Sequence, residues 1–224
     1  MSAHFITGTG TDIGKTWLSC ALLKHWRAAG FATRAYKPVL SGFDANDLDA
    51  SDAGALLLSQ GFLVDANSIE AITPWRFAAP LSPDMAAALE GRAIDFAELV
   101  LFTQRRVAST NSQNACTLIE GVGGVMVPLD DTHTVRDWIA ASNLPCFLVA
   151  GSYLGSLSHT LSALAALREV DVEVKAVAVN ESQASSVTLA DTIASLQCHA
   201  NGIAVVGIRR DEPEIGIATL AAMR

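Results

Sequence analysis

The sequence predicts a single α/β domain over residues 1–224, with a doubly wound, mostly parallel β-sheet flanked by helices. Three observations support this fold class. Strand and helix patterns alternate along the whole chain, without an internal repeat or linker. The strand segments are nearly continuous apolar runs, as expected for parallel strands covered on both faces. A length of 224 residues, half of them hydrophobic, suits one domain with a large core.

The first element is the most informative. An apolar strand pattern that includes His4 runs into a Gly/Thr-rich loop at residues 8–16, and a helix pattern follows at 17–29. The loop ends in Gly-Lys-Thr, which is the order found in phosphate-binding loops. Such loops point backbone N–H groups inward, with a lysine for the terminal phosphates and a threonine hydroxyl for Mg²⁺. The usual spacing needs glycine at position 9, where this chain has Thr9, so the loop is a lengthened variant.

The later elements are predicted in order from apolar periodicity and end signals. Gly30 stops the first helix, and Pro38 ends the second strand because it cannot donate to a strand ladder. Ser51 is a predicted N-cap with Asp52 in the first helical turn, and segments 73–75 and 79–83 predict loops. The further predicted strands are 31–39, 115–119, 146–150, 173–179 and 203–208. The further predicted helices are 52–60, 84–90, 95–108, 134–141, 157–170, 186–197 and 214–223.

Charge and composition exclude several classes of function. A formal net charge of −8 without a basic segment disfavours a nucleic-acid partner. The N-terminal residues lack a secretory signal pattern, so we expect a cytoplasmic protein. Residues 138–167 contain no Asp, Glu, Lys or Arg, but Asn143, Pro145 and glycines interrupt them. A buried strand followed by a buried helix explains this stretch better than a membrane span.

The cysteines and histidines show no metal-ligand or disulfide spacing. The four cysteines are predicted to be reduced core residues: Cys20, Cys116, Cys146 and Cys198. Four histidines are predicted on the surface or at a strand start: His4, His25, His133 and His199. The fifth, His159, lies in an apolar helix pattern and is predicted to be a buried packing or interface residue.

The segments that follow the strands are expected to converge, since ligands of open parallel sheets bind beyond the carboxyl ends of the strands. These segments are residues 8–16, 37–41, 120–124, 151–155, 180 and 209 onward. Glu120 is a candidate Mg²⁺ anchor and Lys37 a candidate phosphate partner. Each of these residues, taken alone, also has a structural interpretation without a function. Glu120 could be a solvated acid at a strand end, Lys37 a surface charge, Asp52 an acid in the first turn of a helix, and Ser41 an ordinary turn residue.

Several motifs together are characteristic of one family. They occur in order over nearly the whole chain: residues 8–16, 36–39 with Ser41-Gly42, Ser51-Asp52, 80–83, 119–124 with Pro128-Leu129, Leu154-Gly155 with His159, and Val179-Asn180. In this set the chain resembles the dethiobiotin synthetase family. The lengthened loop matches that family, and Lys37-Pro38 with Ser41-Gly42 is the most discriminating part.

The resemblance implies a P-loop NTPase fold and a cyclo-ligase of biotin biosynthesis. The implied reaction joins 7,8-diaminononanoate and CO₂ or bicarbonate to form dethiobiotin, with ATP as co-substrate and Mg²⁺ as cofactor. It passes through a carbamate and a carbamic–phosphoric anhydride, and it releases ADP and phosphate. The resemblance also implies a homodimer with its substrate site near the subunit interface, where residues 151–155 offer N–H groups to the neighbouring subunit's substrate carboxylate.

The resemblance also assigns roles to positions of this sequence. The implied catalytic residues are Lys15 and Lys37. The implied ATP-binding residues are Asp12, Ile13, Gly14, Lys15, Thr16, Trp17, Asp52, Glu120, Gly121, Val122, Gly123 and Asn180. The implied substrate contacts are Thr11, Lys37 and Ser41, and the implied Mg²⁺ ligands are Thr16, Asp52 and Glu120.

Three departures from the family pattern and three alternatives remain open. Ser158 stands where an asparagine before His159 is common, which leaves one dimer and substrate contact open. Asp12 stands where the family often has glutamate, and Arg209-Arg210 stands where a proline is usual, which leaves the adenine side and the preference for ATP undecided. One alternative is a partitioning-type ATPase, although the loop lacks the second lysine typical of that class. The second is an amide-forming cofactor enzyme, which would need a further domain that does not fit in this chain. The third is a non-catalytic module that binds a nucleotide.

Overall fold

The computed structural model describes residues 2–110 and 114–224. Within them, the six strands of the main sheet are β1 (Ser2–Gly8), β2 (Ala32–Tyr36), β5 (Ala115–Glu120), β6 (Cys146–Gly151), β7 (Val174–Asn180) and β8 (Ala204–Ile208). A second sheet contains β3 (Val39–Ser41) and β4 (Trp75–Phe77). The main sheet has the order β2-β5-β1-β6-β7-β8, and each of these neighbouring pairs is parallel. The predicted parallel α/β fold is therefore confirmed.

Helices flank this sheet. In the described ranges they are α1 (Lys15–Ala28), α2 (Asp52–Gln60), α3 (Ala66–Ile72), α4 (Pro83–Leu89), α5 (Phe96–Ala108), α6 (Val135–Ser142), α7 (Ser156–Glu169), α8 (Leu189–His199) and α9 (Glu214–Ala221). Trp138 of α6 packs edge-on against Phe5 of β1, with ring centroids 4.8 Å apart. On α1, the indole nitrogen of Trp26 donates to the carbonyl of Ala221 in α9 at 3.1 Å. None of the described helices is long and apolar enough to cross a membrane.

Burial explains why the strands lack apolar/polar alternation. Every residue of β5 and β6 is buried, because these strands lie inside the sheet and are covered on both faces. The only carboxylate of β5 belongs to Glu120, its last residue, which is fully buried. A carboxylate at that place must be paired inside the protein, since burying an unpaired charge is costly.

Two segments were predicted wrongly. The second strand ends at Tyr36 rather than at residue 39, and Val39–Ser41 instead pairs in parallel with Trp75–Phe77, which was predicted in part as a loop. Pro38 explains the break, because it cannot continue the ladder, and the short chain after it finds a new partner. Helix α3 was also missed, although Asp65 and Ser68 form a reciprocal cap at its start. Only Ile69 and Ile72 are buried on this helix, which leaves little periodicity to detect.

One prediction of burial was wrong. Cys116 and Cys146 are buried and Cys20 is partly buried, but Cys198 near the end of α8 is exposed, although its helix pattern predicted burial. His4 is near the start of β1, as predicted, and only 2% of its surface is exposed, because it packs against Phe147. His159 is exposed in the single chain, with its Nδ1 2.9 Å from the hydroxyl of Tyr153, and its alternative role as an interface residue stays a prediction.

His4 predicts an acid-dependent loss of stability. Burial, together with the nearby charge of Lys175, lowers the pKa of His4 from 6.5 to about 4. The unfolded chain therefore binds a proton at a higher pH than the folded chain does. Stability is full above pH 6.5 and falls as the pH drops toward 4, by about 3 kcal/mol in total from 1.36 kcal/mol per pKa unit. Chemical denaturation between pH 7 and pH 4 measures this loss.

The matched variants are His4→Gln and His199→Gln. The first removes the buried imidazole and should flatten the dependence of unfolding free energy on pH in this window. The second replaces an exposed histidine at the end of α8 and should leave the dependence unchanged. Equal slopes in wild type and His4→Gln would show that the acid sensitivity comes from other groups.

Candidate active site

The phosphate-binding loop joins β1 to α1. Asp12 and Gly14 both have left-handed backbone conformations, with φ values of 55° and 90°. Gly14 precedes the first residue of α1, and a Cβ atom there would lie 2.5 Å from Nδ2 of Asn180. Both observations favour glycine at position 14, since other residues rarely adopt this conformation and a Cβ atom there would displace the amide of Asn180. The loop therefore ends with the N–H groups of a helix start directed at its concave side.

A second glycine-rich turn supports the loop from behind. The N–H of Gly121 donates to the carbonyl of Ile6 at 2.9 Å, and that of Val125 donates to the carbonyl of Gly8 at 3.0 Å. A Cβ atom at Gly124 would lie 3.2 Å from the backbone of Thr9. The close approach of the two backbones explains why glycine follows the end of β5.

The charged side chains form a cluster beside the loop. Nζ of Lys37 lies 2.7 Å from Oε1 of Glu120 and 2.9 Å from Oδ2 of Asp52. Lys37 and Glu120 are buried, whereas the side chain of Asp52 is 40% exposed. Three chain segments that are distant in sequence thus place one cation between two anions. For Lys37 and Glu120, this agrees with the expectation that residues at the carboxyl ends of the strands converge.

The pKa values in this cluster follow from its charges. Burial alone would lower the pKa of Lys37, but Glu120 and Asp52 raise it above its ordinary value. Burial opposes ionisation of Asp52 as well, yet Lys37 holds the pKa of that carboxyl below its usual value. Lys37 is therefore a permanent ammonium ion at neutral pH, which suits electrostatic stabilisation and rules out a role as a general base.

Lys15 is in a different state. Its ammonium group donates to the carbonyl of Gly10 at 2.6 Å, so it closes the loop onto itself. Burial and repulsion by Lys37 lower the pKa of Lys15 to about 8, against the attraction of Glu120, Asp52 and Asp12. A phosphate oxygen is a stronger acceptor than a carbonyl and carries charge, so an entering phosphate can replace Gly10 as the partner of Lys15.

Glu120 is held by two hydroxyl groups in addition to Lys37. Oγ1 of Thr16 donates to Oε1 and Oγ of Ser19 donates to Oε2, both at 2.6 Å. Thr16 and Ser19 are three residues apart on α1 and so lie on one helix face. Ser19 was missed in the sequence, although its spacing from Thr16 was a usable signal.

A cavity of about 630 Å³ opens on the other side of the loop. It is lined by the loop itself and by the segments that follow β6, β7 and β8, as predicted from the strand ends. Among the predicted residues, the cavity is lined by Thr11, Asp12, Ile13, Gly14, Trp17 and Asn180. Tyr153 also lines the cavity and lies in the predicted segment 151–155, whereas residues 181–183 were not predicted, although they directly follow β7. Arg209 and Arg210 also reach the cavity, in agreement with the expected convergence.

Asn180 connects this cavity to the loop. Its Nδ2 donates to the carbonyl of Ile13 at 2.7 Å, and its Oδ1 is buried without a hydrogen-bond partner in the part of the chain that the structure describes. Beside it, the backbone N–H of Ser152 donates to the hydroxyl of Ser182, and the N–H of Ser182 donates back to the hydroxyl of Ser152. This reciprocal pair holds the ends of β6 and β7 together and leaves the Asn180 oxygen available to a donor.

The remaining predicted residues lie outside the cavity. Lys15, Thr16, Lys37, Asp52 and Glu120 form the charged cluster instead. Gly121, Val122 and Gly123 belong to the supporting turn, so their predicted nucleotide contacts stay a prediction. Ser41 ends β3, and its hydroxyl is buried without a partner among the described residues. An orphaned hydroxyl of this kind is suited to a ligand that brings its own donor or acceptor.

The side chains beside the loop offer a donor set for the expected Mg²⁺. Thr16, Asp52 and Glu120 present hydroxyl and carboxylate oxygens, which are the ligands that this hard cation prefers. In residues 2–110 and 114–224, no group of three or more His, Cys, Asp or Glu side chains is placed to hold a metal. Two carboxylates and a hydroxyl fit Mg²⁺, which commonly takes one or two protein carboxylates and completes its shell with phosphates and water.

Comparison with solved structures supports the fold. The hydrogenase maturation factor HypB from Archaeoglobus fulgidus aligns over 100% of this chain and 90% of its own, with 11% identity and a TM-score of 0.57. The cell division protein MinD from Aquifex aeolicus aligns over 99% of this chain and 87% of its own, with 12% identity and a TM-score of 0.53. At these identities the likeness concerns the fold alone.

Comparison of sequences identifies the family. A family model described as an AAA domain matches residues 2–215. The ATP-dependent dethiobiotin synthetase BioD of Acidiphilium cryptum is 48% identical over 89% of this chain and 88% of its own length. The BioD protein of Methylobacterium nodulans is 43% identical over 94% of both chains. With this identity over nearly the full length, the chain belongs to the dethiobiotin synthetase family.

Proposed function

We propose that the protein catalyses the ATP-dependent ring closure of 7,8-diaminononanoate with CO₂ to give dethiobiotin. The observation that carries this proposal is the charged cluster of Lys15, Lys37, Asp52 and Glu120 beside the phosphate-binding loop. A reaction with a carbamate and a triphosphate needs fixed positive charge where two anions meet, and the two lysines supply it.

The proposed chemistry has three steps. One amine of the substrate attacks CO₂ and loses a proton, which forms a carbamate. A carbamate oxygen attacks the γ-phosphorus of ATP, and ADP leaves, which forms the carbamic–phosphoric anhydride. The second amine then attacks the carbonyl carbon and loses a proton, and the C–O bond to phosphate breaks as the ring closes.

The residues of this chain act mainly by positioning and charge in these steps. Lys37 stays protonated because of its two carboxylate partners, so it can neutralise the carbamate and the transferring phosphoryl group. Lys15 exchanges the carbonyl of Gly10 for a phosphate oxygen when ATP enters. The hydroxyls of Thr11 and Ser41 orient the diamine or its carbamate.

Mg²⁺ would be held by Thr16, Asp52 and Glu120, and it would neutralise charge on the phosphates. The cavity on the far side of the loop would take the nucleoside. Its buried acceptor, Oδ1 of Asn180, suits the amino group of adenine. Residues 12–17 would then surround the phosphates, with their N–H groups and the start of α1 directed at the negative charge.

A homodimer completes the proposal. Several large apolar side chains are exposed, among them Leu81, Met85, Met126 and Leu154. Leu154 lies in the turn between β6 and α7 and is 80% exposed, which makes this turn a candidate for the subunit interface. The same turn would offer its N–H groups to the carboxylate of a substrate bound by the partner subunit.

The expected result of the main test is phosphate release that depends on both co-substrates. With ATP and Mg²⁺, the protein should release phosphate only when 7,8-diaminononanoate and bicarbonate are both present, because the carbamate is the nucleophile. Mass spectrometry should detect dethiobiotin, with one product formed per phosphate released.

Omission of each component is the control. Rapid ATP hydrolysis without the diamine would exclude the ligase and favour an ATPase of the partitioning type. ATP binding without turnover under any of these conditions would favour a nucleotide-gated binding module. A replacement of ATP by GTP or CTP in the same assay measures base preference at the cavity lined by Arg209 and Arg210.

A further inference from the structure

We infer that Ser19 is a positioning residue that fixes the Glu120 carboxylate for the metal site. The inference rests on the proposed role of Glu120 in holding Mg²⁺. Ser19 is fully buried on the inner face of α1, and its hydroxyl donates to Oε2 of Glu120 at 2.6 Å. It does not touch the proposed substrates, so its effect must pass through Glu120.

The direction of this hydrogen bond is unusual for the protein. Several buried serine and threonine hydroxyls on other helices donate within their own helix: Thr103 to Leu99, Ser142 to Trp138 and Thr160 to Ser156, each four residues earlier, and Ser59 to Leu56, three residues earlier. Ser19 instead donates across to the end of β5. A carbonyl of its own helix was the alternative partner for a buried serine at this position.

The two oxygens of Glu120 have different partners. Oε1 accepts from Thr16 at 2.6 Å and from Lys37 at 2.7 Å. Among the described residues, Oε2 accepts only from Ser19. Oε1 therefore lies on the side of the phosphate-binding loop and the charged cluster, and Oε2 lies on the side of the helix.

This division of partners orients the carboxylate. The terminal torsion of a glutamate is broad, so the group rotates easily when nothing holds it. Hydrogen bonds from Thr16 and Ser19, one to each oxygen, fix its plane relative to α1. With a metal ion held at Glu120, Ser19 would keep Oε2 in place. Outer-shell partners of this kind typically change metal affinity 10- to 100-fold.

The test measures Mn²⁺ affinity by electron paramagnetic resonance with ADP bound, so that no turnover is involved. Ser19→Ala should weaken Mn²⁺ binding at least tenfold. Ser142→Ala, which removes a buried serine hydroxyl from α6 away from the site, should leave it unchanged. Ser19→Thr keeps a hydroxyl and should bind Mn²⁺ within threefold of wild type. An Mn²⁺ affinity of Ser19→Ala within twofold of wild type would overturn the inference. If Ser19→Ala does not fold, Ser19→Thr decides, and a tenfold loss of Mn²⁺ affinity in that variant would also overturn the inference.

A double-mutant cycle shows whether Ser19 acts through Glu120. Glu120→Gln should itself weaken Mn²⁺ binding, and Ser19→Ala should then add less than a twofold further loss. A tenfold further loss in the Glu120→Gln background would mean that Ser19 acts independently of Glu120. If Glu120→Gln alone leaves Mn²⁺ affinity unchanged, the proposed metal role of Glu120 is wrong. If Glu120→Gln weakens Mn²⁺ binding but Ser19→Ala does not, only the inference about Ser19 is wrong.

Discussion

Lys37→Ala is expected to lower kcat by about 10²-fold or more, since it removes a preorganised charge from the reacting groups. The loss should be larger in kcat than in the KM for ATP, because the proposed nucleoside cavity is not lined by Lys37. The variant also leaves the buried Glu120 without its cation, so its free energy of unfolding should fall. Steady-state kinetics with the diamine, bicarbonate and ATP measure the first effect, and chemical denaturation measures the second.

Lys24→Ala is the matched control for this prediction. Lys24 is an exposed lysine on α1, outside the charged cluster, and its loss should change neither quantity. Activity of Lys37→Ala within threefold of wild type would remove Lys37 from the mechanism. Measurements below the melting temperature of the variant separate the catalytic loss from unfolding.

Glu120→Gln is expected to raise the Mg²⁺ concentration for half-maximal activity about 10- to 100-fold, because the metal site loses a negatively charged carboxylate ligand. The change keeps the size of the side chain but removes the charge that pairs with Lys37 at 2.7 Å. At saturating Mg²⁺, part of the kcat loss should therefore remain. A Mg²⁺ titration of phosphate release measures both effects.

Glu173→Gln controls for a general effect of removing one negative charge. Glu173 is exposed and pairs with Lys175, outside the candidate active site. Its Mg²⁺ titration should match that of wild type. An unchanged titration for Glu120→Gln as well would assign the metal to another anchor, with Asp52 as the next candidate to replace.

The prediction of the site from the sequence succeeded where chain order and strand ends decide position. Lys37 directly follows β2 and Glu120 is the last residue of β5, and parallel strands bring such residues to one edge of the sheet. Asn180 and Arg209 reached the same edge for the same reason. Ser19 was missed because it is inside a helix, where only the direction of its hydroxyl shows that it belongs to the site.

The prediction of burial was weaker, because burial depends on what packs on top of an element. Cys198 was predicted to be buried because it lies in an apolar helix pattern, and this prediction failed in the structure. The second sheet was missed for a related reason. Strands of three residues, Val39–Ser41 and Trp75–Phe77, have no periodicity of their own and exist because each finds the other.

By itself, the sequence determined the fold class, the phosphate-binding loop and the family resemblance, because these depend on local pattern and on the order of motifs. Only the tertiary structure decided the pairing of charges. It placed Lys37 between Glu120 and Asp52, turned Lys15 back onto Gly10, and set Thr16 and Ser19 on the two oxygens of Glu120. The physical reason is that a buried charge must find partners within about 3 Å, and which groups come that close depends on the packing of α1 and α2 around the ends of β2 and β5.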